Sequence, residues 1–189
     1  MATETLRPNA AGDLVPPAPV WETQFPNSDF HWDKVDEAVA DDDTTYISTQ
    51  FGGRYELFHL PSMSALGIAT ISGIEVFVIA KKTATSSNVF AYPVIKTGGS
   101  VYSGAAGGLS TVYETYSDSW WTNPQSGVAW TEADIDALQI GVLSSGGWLE
   151  YVTQIYVEVT YTVSEGLVGH ILQEGTKIHW IDENGAEQS

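Results

Sequence analysis

The densest group of side chains that could do chemistry is the acidic run Asp41, Asp42 and Asp43, which closely follows Asp36 and Glu37. Clustered carboxylates in a flexible loop suit Ca²⁺, because this cation takes several oxygen ligands. Without a cation the neighbouring like charges repel and stay in water, as in many solvated turns. The sequence therefore offers Asp41, Asp42 and Asp43 as a calcium site, with a solvated turn as the alternative.

A second candidate site is aromatic. Trp120 and Trp121 are adjacent, and Trp130 and Trp148 follow them in the same half of the chain. Sugar rings stack on exposed indole faces of β-sandwich proteins, so Trp120, Trp121 and Trp148 are candidate glycan-binding residues. Packing and loop anchoring in a tryptophan-rich core is the alternative.

The residues that usually carry catalysis form no familiar pattern. The sequence has no G-x-S-x-G elbow, P-loop, G-x-G-x-x-G or H-E-x-x-H motif. Its histidines (His31, His59, His170 and His179) are scattered without the spacing of metal ligands. Acidic residues are plentiful, but no pair is singled out for glycoside hydrolysis. We therefore expect no enzymatic activity, no catalytic residues and no cofactor other than the candidate calcium.

The composition narrows the choice of partners. The 189 residues include 24 acidic and 7 basic side chains, which gives a formal net charge of −17. Such a surface repels phosphate groups, so direct binding to nucleic acid or to an anionic membrane is not expected. Cysteine is absent, so disulfides do not contribute. The first residues lack the basic and apolar regions of a signal peptide, which predicts synthesis in the cytoplasm and export only inside an assembled particle.

Short strands separated by turns must position these residues. From Ile155 to Val163 the odd-numbered residues are apolar or aromatic, whereas Glu158, Thr160 and Thr162 are polar. This period of two is typical of a strand with one face on a core. Glycine pairs at four points suit tight hairpins. The pattern predicts an all-β fold, an antiparallel β-sandwich of jelly-roll type. Predicted strands cover residues 44–50, 54–60, 74–81, 89–96, 101–102, 109–116, 138–143 and 151–163.

One helical turn is expected within this pattern. Thr131 to Asp134 resembles a capping box in which Asp134 replaces the usual glutamate. Trp130 and Ile135 occupy the positions of a hydrophobic staple. The turn is too short to form a layer, so we expect it to cover an open end of the sandwich.

Three segments are expected along the chain: an extended proline-rich arm (residues 1–31), the sandwich (32–163) and a C-terminal extension (164–189). The arm is apolar enough to order against a neighbouring subunit, with a floppy terminus as the alternative. The extension holds a predicted strand or short hairpin for assembly.

Two strands, 74–80 and 89–95, are apolar on both faces, and Pro93 predicts that the second lies at an edge or carries a bulge. Such faces suit contacts in a homo-oligomer, unless the arm or the tail covers them. Candidate assembly residues are Trp21, Phe25, Phe77, Phe90, Tyr92, Ile178 and Trp180.

Several motifs taken together resemble a family of β-sandwich proteins of tailed bacteriophages and prophages, associated with the virion or the tail. They are 4–13 (ETLRPNAAGD), Trp32, 35–38 (VDEA), 41–46 (DDDTTY), 91–93 (AYP), 96–99 (KTGG), 121–124 (WTNP), 129–131 (AWT), 134–139 (DIDALQ) and 153–159 (TQIYVEV). The resemblance covers residues 4–163, and the chain departs from the family pattern from Ser164 onward. It carries no catalytic residues.

The resemblance implies a non-enzymatic structural role in the virion, as a capsid decoration, head fibre or tail component whose partners are other virion proteins. A different class of function stays open beside it. The alternative is a carbohydrate-binding β-sandwich module that recognises host-surface glycans through the tryptophans.

Overall fold

A computed structural model of the chain describes residues 1–14, 21–64, 67–83, 85, 88–146, 150–163, 170–174, 177–181 and 187–188, with backbone alone from residue 170 onward. The described residues form β-strands, one 3-10 turn (His31–Lys34) and one short helix, α1 (Glu132–Asp136). The strands are β1 (Ala2–Leu6), β2 (Ala10–Ala11), β3 (Thr23–Phe25), β4 (Tyr46–Thr49), β5 (Arg54–His59), β6 (Ile68–Lys82), β7 (Phe90–Thr97), β8 (Ser100–Ser103), β9 (Gly107–Gly108), β10 (Glu114–Trp120), β11 (Gln139–Ser144), β12 (Glu150–Val163), β13 (His170–Glu174), β14 (Lys177–Ile181) and β15 (Glu187–Gln188).

Two antiparallel sheets pack face to face. The front sheet has the order β10-β6-β12-β4-β3, and β1 also pairs with β12; the back sheet has the order β2-β5-β11-β7-β8, and β9 also pairs with β7. The central strands β10-β6-β12-β4 lie against β5-β11-β7-β8, and the chain crosses between the sheets at most of its connections. This is jelly-roll topology. The predicted all-β sandwich is confirmed.

The core lies between the sheets and is built from alternate residues of the central strands. Val76, Val78 and Val157 of the front sheet are fully buried, as are Phe58 and Ile140 of the back sheet. The alternating pattern of the sequence therefore identifies the inward face, because side chains of a strand point to opposite sides in turn.

A β-bulge in β12 changes which residues of this strand face the core. Val152 pairs with Ala80 and Gln154 with Ile79, so Thr153 is an extra residue without a partner on β6. Before the bulge Val152 points inward, and after it the inward positions are odd-numbered, beginning with Ile155. The predicted period of two holds only after Thr153 for this reason.

An acidic loop, residues 35–45, covers a gap at the edge of β12. On that edge β12 pairs with β4 through Glu150 to Val152 and with β1 through Val157 to Tyr161. Between these two strands, the Ile155 N–H donates to the Val35 carbonyl at 2.8 Å. The Gln154 side-chain amide donates to the Glu37 carbonyl. The loop thereby satisfies groups of a strand edge that would otherwise be open.

The described part of the predicted arm pairs with the sandwich of its own chain. Strand β1 joins the front sheet beside β12, β2 joins the back sheet beside β5, and β3 extends the front sheet beside β4. Trp21 is 1% exposed within the core. Main-chain pairing with edges of the same sandwich holds these described strands in place. Residues 15–20, with most of its prolines, lie outside the described residues.

Pro93 occupies an interior strand and not an edge strand. Strand β7 lies between β11 on one side and β8 and β9 on the other. The Pro93 carbonyl accepts from the Gly104 N–H at 2.8 Å, so its missing N–H faces residues 104–106, where β8 has ended and β9 has not begun. The proline is tolerated because no ladder hydrogen bond is needed at this point.

The local predictions agree with the structure at two turns and differ in the bounds of two strands, one of which is β6, which begins at Ile68 and not at residue 74. The capping box at α1 is present: the Thr131 hydroxyl accepts from the Asp134 N–H, and the Asp134 carboxylate accepts from the Thr131 N–H. Gly98 and Gly99, with φ of +56° and +85°, form the tight turn between β7 and β8. The strand predicted over 109–116 is wrong in its bounds, since β10 covers Glu114–Trp120.

Strands β13, β14 and β15 form a third antiparallel sheet, in which β14 is central. Within the described part of the chain these strands pair with one another and not with the sandwich. No helix among the described residues has the length and apolar character needed to cross a bilayer.

Candidate functional site

An aromatic groove runs across the outer face of the front sheet. Phe25 on β3 stacks on Tyr46 of β4, with ring centroids 5.5 Å apart and an interplanar angle of 18°. Tyr46 in turn meets Tyr151 of β12 at 4.6 Å and 53°. The groove has a volume of about 370 Å³, and its lining includes Thr23, Phe25, Tyr46, Ser48, Gln50 and Tyr151.

Strand register explains why these side chains meet. Phe25 lies directly opposite Tyr46, and Ser48 lies opposite both Thr23 and Tyr151. The residues that alternate with them point into the core, since Ile47 and Val152 are fully buried. Alternation on three adjacent strands therefore places the aromatic rings and the small hydroxyl residues together on the outside.

The polar part of the groove divides into bonded and free groups. Thr23 Oγ1 and Ser48 Oγ are 2.6 Å apart. The neighbouring carboxylate of Glu22 binds the Arg54 Nε at 2.6 Å and accepts from the Thr49 hydroxyl at 2.7 Å. Within the described part of the chain, no hydrogen bond engages the phenols of Tyr46 and Tyr151 or the carboxamide of Gln50. With respect to the described residues, these three uncharged groups therefore keep hydrogen-bonding capacity for a ligand.

A cation continues the aromatic row beyond Tyr151. The Lys81 ammonium lies 5.5 Å from the Tyr151 ring centroid and 4.4 Å from that of Tyr113. Asp43 binds Lys81 at 2.6 Å and accepts from the Tyr113 phenol at 3.1 Å. The hydrogen bond to Lys81 lowers the pKa of Asp43, whereas burial and then Asp43 raise the pKa of Tyr113. The positive charge of Lys81 is therefore balanced by Asp43 of the same chain.

The structure does not bring the predicted calcium ligands together. Asp41 Oδ1 accepts from the Thr45 N–H (3.2 Å), the Thr45 hydroxyl (2.9 Å) and the Thr153 hydroxyl (3.1 Å). Asp42 is exposed in a left-handed turn with φ of 58°, and Asp43 is bound to Lys81. No group of three or more His, Asp or Glu side chains suited to a metal occurs in the described ranges. Divergent directions and existing partners explain the difference from the sequence prediction.

The predicted tryptophan platform is not assembled among the residues that can be described. Trp120 packs partly against the core, and its carbonyl accepts from the Trp130 indole N–H at 2.9 Å. Trp130 is buried, whereas Trp121 is 70% exposed. Trp148 lies outside the described residues. The structure instead brings Phe25, Tyr46 and Tyr151 together. The sequence does not predict this group, because it does not reveal the register between strands.

The predicted assembly residues have different surroundings. Trp21 is buried within its own chain, and Phe25 is 48% exposed in the groove. Phe77 is half-buried and stacks on Tyr156 at 4.7 Å. Phe90 and Tyr92 are half-buried on β7. Ile178 and Trp180 belong to β14, and their side chains lie outside the description.

Sequence reasoning also missed a histidine–carboxylate pair. The His31 Nδ1 lies 3.0 Å from Glu56 Oε1, and Glu56 Oε2 accepts from the Trp21 N–H at 2.9 Å. The Trp21 indole N–H donates to the Arg54 carbonyl at 3.3 Å. The pair therefore holds β5 together with the segment that follows the proline-rich stretch. Its members are 25 residues apart in the sequence, and no local motif signals the contact.

No protein-family model matches the chain, and a search of the curated proteins finds no significant match.

Proposed function

We propose that this chain is a non-enzymatic structural component of a bacteriophage particle, located on the capsid, a head fibre or the tail. The observation that carries the proposal is the jelly-roll topology of a chain whose motifs resemble a phage virion family. Jelly rolls are widely used for viral capsid and lectin domains. This support is an analogy of fold and motif, since one fold hosts many functions.

The hydrogen bonds of three buried or half-buried carboxylates support a scaffold over a catalyst. Glu56 holds Trp21 and His31, and Asp41 holds the acidic loop against Thr153. The buried Glu150 accepts hydrogen bonds from Ser144 and Gly146. Each of these carboxylates ties one chain segment to another, which is a structural role.

The C-terminal sheet is the element that we propose for assembly. Strands β13, β14 and β15 pair among themselves in the described structure, whereas the described part of the N-terminal segment is already used within the sandwich. Among the residues whose side chains the structure describes, those of the core between the sheets precede Val163. A second copy or another virion protein can therefore add to the C-terminal sheet without disturbing the core.

The oligomeric state of the purified chain tests this proposal. We expect native mass spectrometry and light scattering to show a defined oligomer for the full chain. A variant that ends at Val163 should be monomeric and keep the β-sheet circular dichroism spectrum. Immunogold labelling of purified particles should then mark one particle structure. A full chain that is monomeric at micromolar concentrations and is absent from particles would contradict the proposal.

A further inference from the structure

The aromatic groove on the front sheet has the properties of a ligand-binding site. The structural role proposed above does not use this groove. It lies on the outer face, opposite the core, and its Phe25 ring is 48% exposed. Its volume of about 370 Å³ falls in the lower part of the roughly 300–1,000 Å³ range typical of small-molecule sites.

The groove combines flat apolar rings with uncharged hydrogen-bonding groups. Phe25, Tyr46 and Tyr151 form a continuous aromatic row. The phenols of both tyrosines and the exposed carboxamide of Gln50 border the same space. A pyranose ring presents the complementary surface, because its axial C–H groups pack on aromatic faces while its hydroxyls donate to and accept from phenols and amides.

The charge around the groove favours a neutral ligand. Both oxygens of Glu22 are engaged, by Arg54 and by Thr49. Lys81, beyond Tyr151, is paired with Asp43 at 2.6 Å. The net charge of −17 repels anions, including phosphorylated and carboxylated sugars. A cationic ligand finds no free carboxylate in the described lining, because Glu22 is its acidic member.

We infer that the groove between Phe25, Tyr46 and Tyr151 binds a neutral oligosaccharide. One sugar ring stacks on the aromatic row, and neighbouring hydroxyls reach the two phenols and Gln50. The inference does not rest on the particle role proposed above, and the two can fail independently.

The experiment titrates the full chain with neutral linear di- to hexasaccharides of hexoses and N-acetylhexosamines, followed by NMR and calorimetry. At least one of them should bind saturably, with a Kd below roughly 10 mM. Tyr46→Phe and Tyr151→Phe should each weaken that binding about three- to tenfold, since each removes one hydrogen-bonding hydroxyl and keeps the ring. Phe25→Ala should weaken it about tenfold by removing the stacking surface.

Two controls locate the site. Tyr113→Phe is the same change at a phenol already bonded to Asp43, and it should leave the affinity unchanged. Trp121→Ala removes the exposed indole outside the groove and should also have no effect. Near-ultraviolet circular dichroism of each variant verifies that the fold is kept.

Three outcomes would overturn the inference. The first is that none of the neutral oligosaccharides binds. The second is that Trp121→Ala abolishes binding while the groove variants do not, which places the sugar on the tryptophan loop. The third is that a synthetic peptide with the sequence of residues 15–20, Val-Pro-Pro-Ala-Pro-Val, binds the groove and the sugars do not.

Discussion

The carboxylate of Glu150, the first residue of β12, accepts a hydrogen bond of 2.8 Å from the hydroxyl of Ser144, the last residue of β11. The same oxygen accepts from the Gly146 N–H at 3.1 Å. Glu150 is 0% exposed, and its second oxygen has no hydrogen-bond partner among the described residues. A single acidic group thus joins the two sheets inside the core, and burial raises its pKa to about 7.

Stability should therefore depend on pH through Glu150. The pKa is 4.5 in the unfolded chain and about 7 in the folded one, so between these values the folded state holds more protons. The contribution of Glu150 to the free energy of unfolding falls as pH rises through this window, by about 3 kcal/mol in total. Glu150→Gln cannot ionise and removes this contribution. Urea unfolding of both proteins at about pH 5 and about pH 8 measures it.

The comparison of the two proteins isolates Glu150 from other acids, such as Glu37, whose pKa is also raised by burial. Glu150→Gln should gain stability relative to the parent chain as pH increases. A constant difference at both pH values would contradict the prediction.

Trp21 should be essential to stability although it follows a proline-rich stretch. Its side chain is 1% exposed, and replacement by alanine leaves a cavity under β5. We expect Trp21→Ala to lower the free energy of unfolding by about 3–5 kcal/mol. Trp121→Ala, at a residue 70% exposed, should change it by less than about 0.5 kcal/mol. Equal effects of the two variants in urea unfolding would show that the N-terminal segment does not pack as described.

Asp41 and Asp42 are neighbours, but we expect a substitution of Asp41 to lower the stability of the fold and a substitution of Asp42 to leave it nearly unchanged. Asp41→Ala removes the acceptor of the Thr45 N–H and the Thr153 hydroxyl, whereas the Thr45 hydroxyl keeps Glu37 as an acceptor at 2.6 Å; the change should cost about 1–3 kcal/mol of unfolding free energy. Asp42→Asn is the matched control, because asparagine tolerates the left-handed backbone at this position. It should be nearly neutral in thermal and urea unfolding. A destabilised Asp42→Asn variant would mean that the exposed carboxylate has a role which the contacts do not indicate.

Calcium should leave the melting temperature unchanged. Asp41 is occupied by Thr45 and Thr153, and Asp43 is occupied by Lys81, so a cation would have to displace existing partners. Differential scanning calorimetry with CaCl₂, with a chelator and with NaCl of equal ionic strength measures the effect. A calcium-specific rise in melting temperature that Asp41→Ala removes would restore the metal site suggested by the acidic run.

Local sequence patterns predict most of the central strands because burial on one face imposes a visible period. The strand around Ile155 and the cap at Thr131 are of this kind. The bounds of β10 are not predicted because it is an edge strand of mostly polar residues without a buried position, and hence has a weak period. The bulge at Thr153 is equally invisible, since it depends on the partner strand.

The aromatic groove could not be predicted from the sequence for a related reason. Tyr46 and Tyr151 are far apart in the chain and meet only because β4 and β12 pair in one particular register. Trp120, Trp121 and Trp130, by contrast, are close in sequence but do not form a common exposed surface, since Trp130 is buried. Proximity along the chain is a poor guide in a fold dominated by contacts between distant strands.

The pairing of β1 with β12 sets the order in which the molecule can be completed. Leu6 pairs with Val157, about 150 residues later in the chain. During synthesis β1 cannot pair with β12 until nearly the whole sandwich has left the ribosome. The front sheet is therefore completed only afterwards. Until then the growing chain carries unpaired, aggregation-prone strand edges. We therefore expect slow folding and a benefit from chaperones when the protein is produced in quantity.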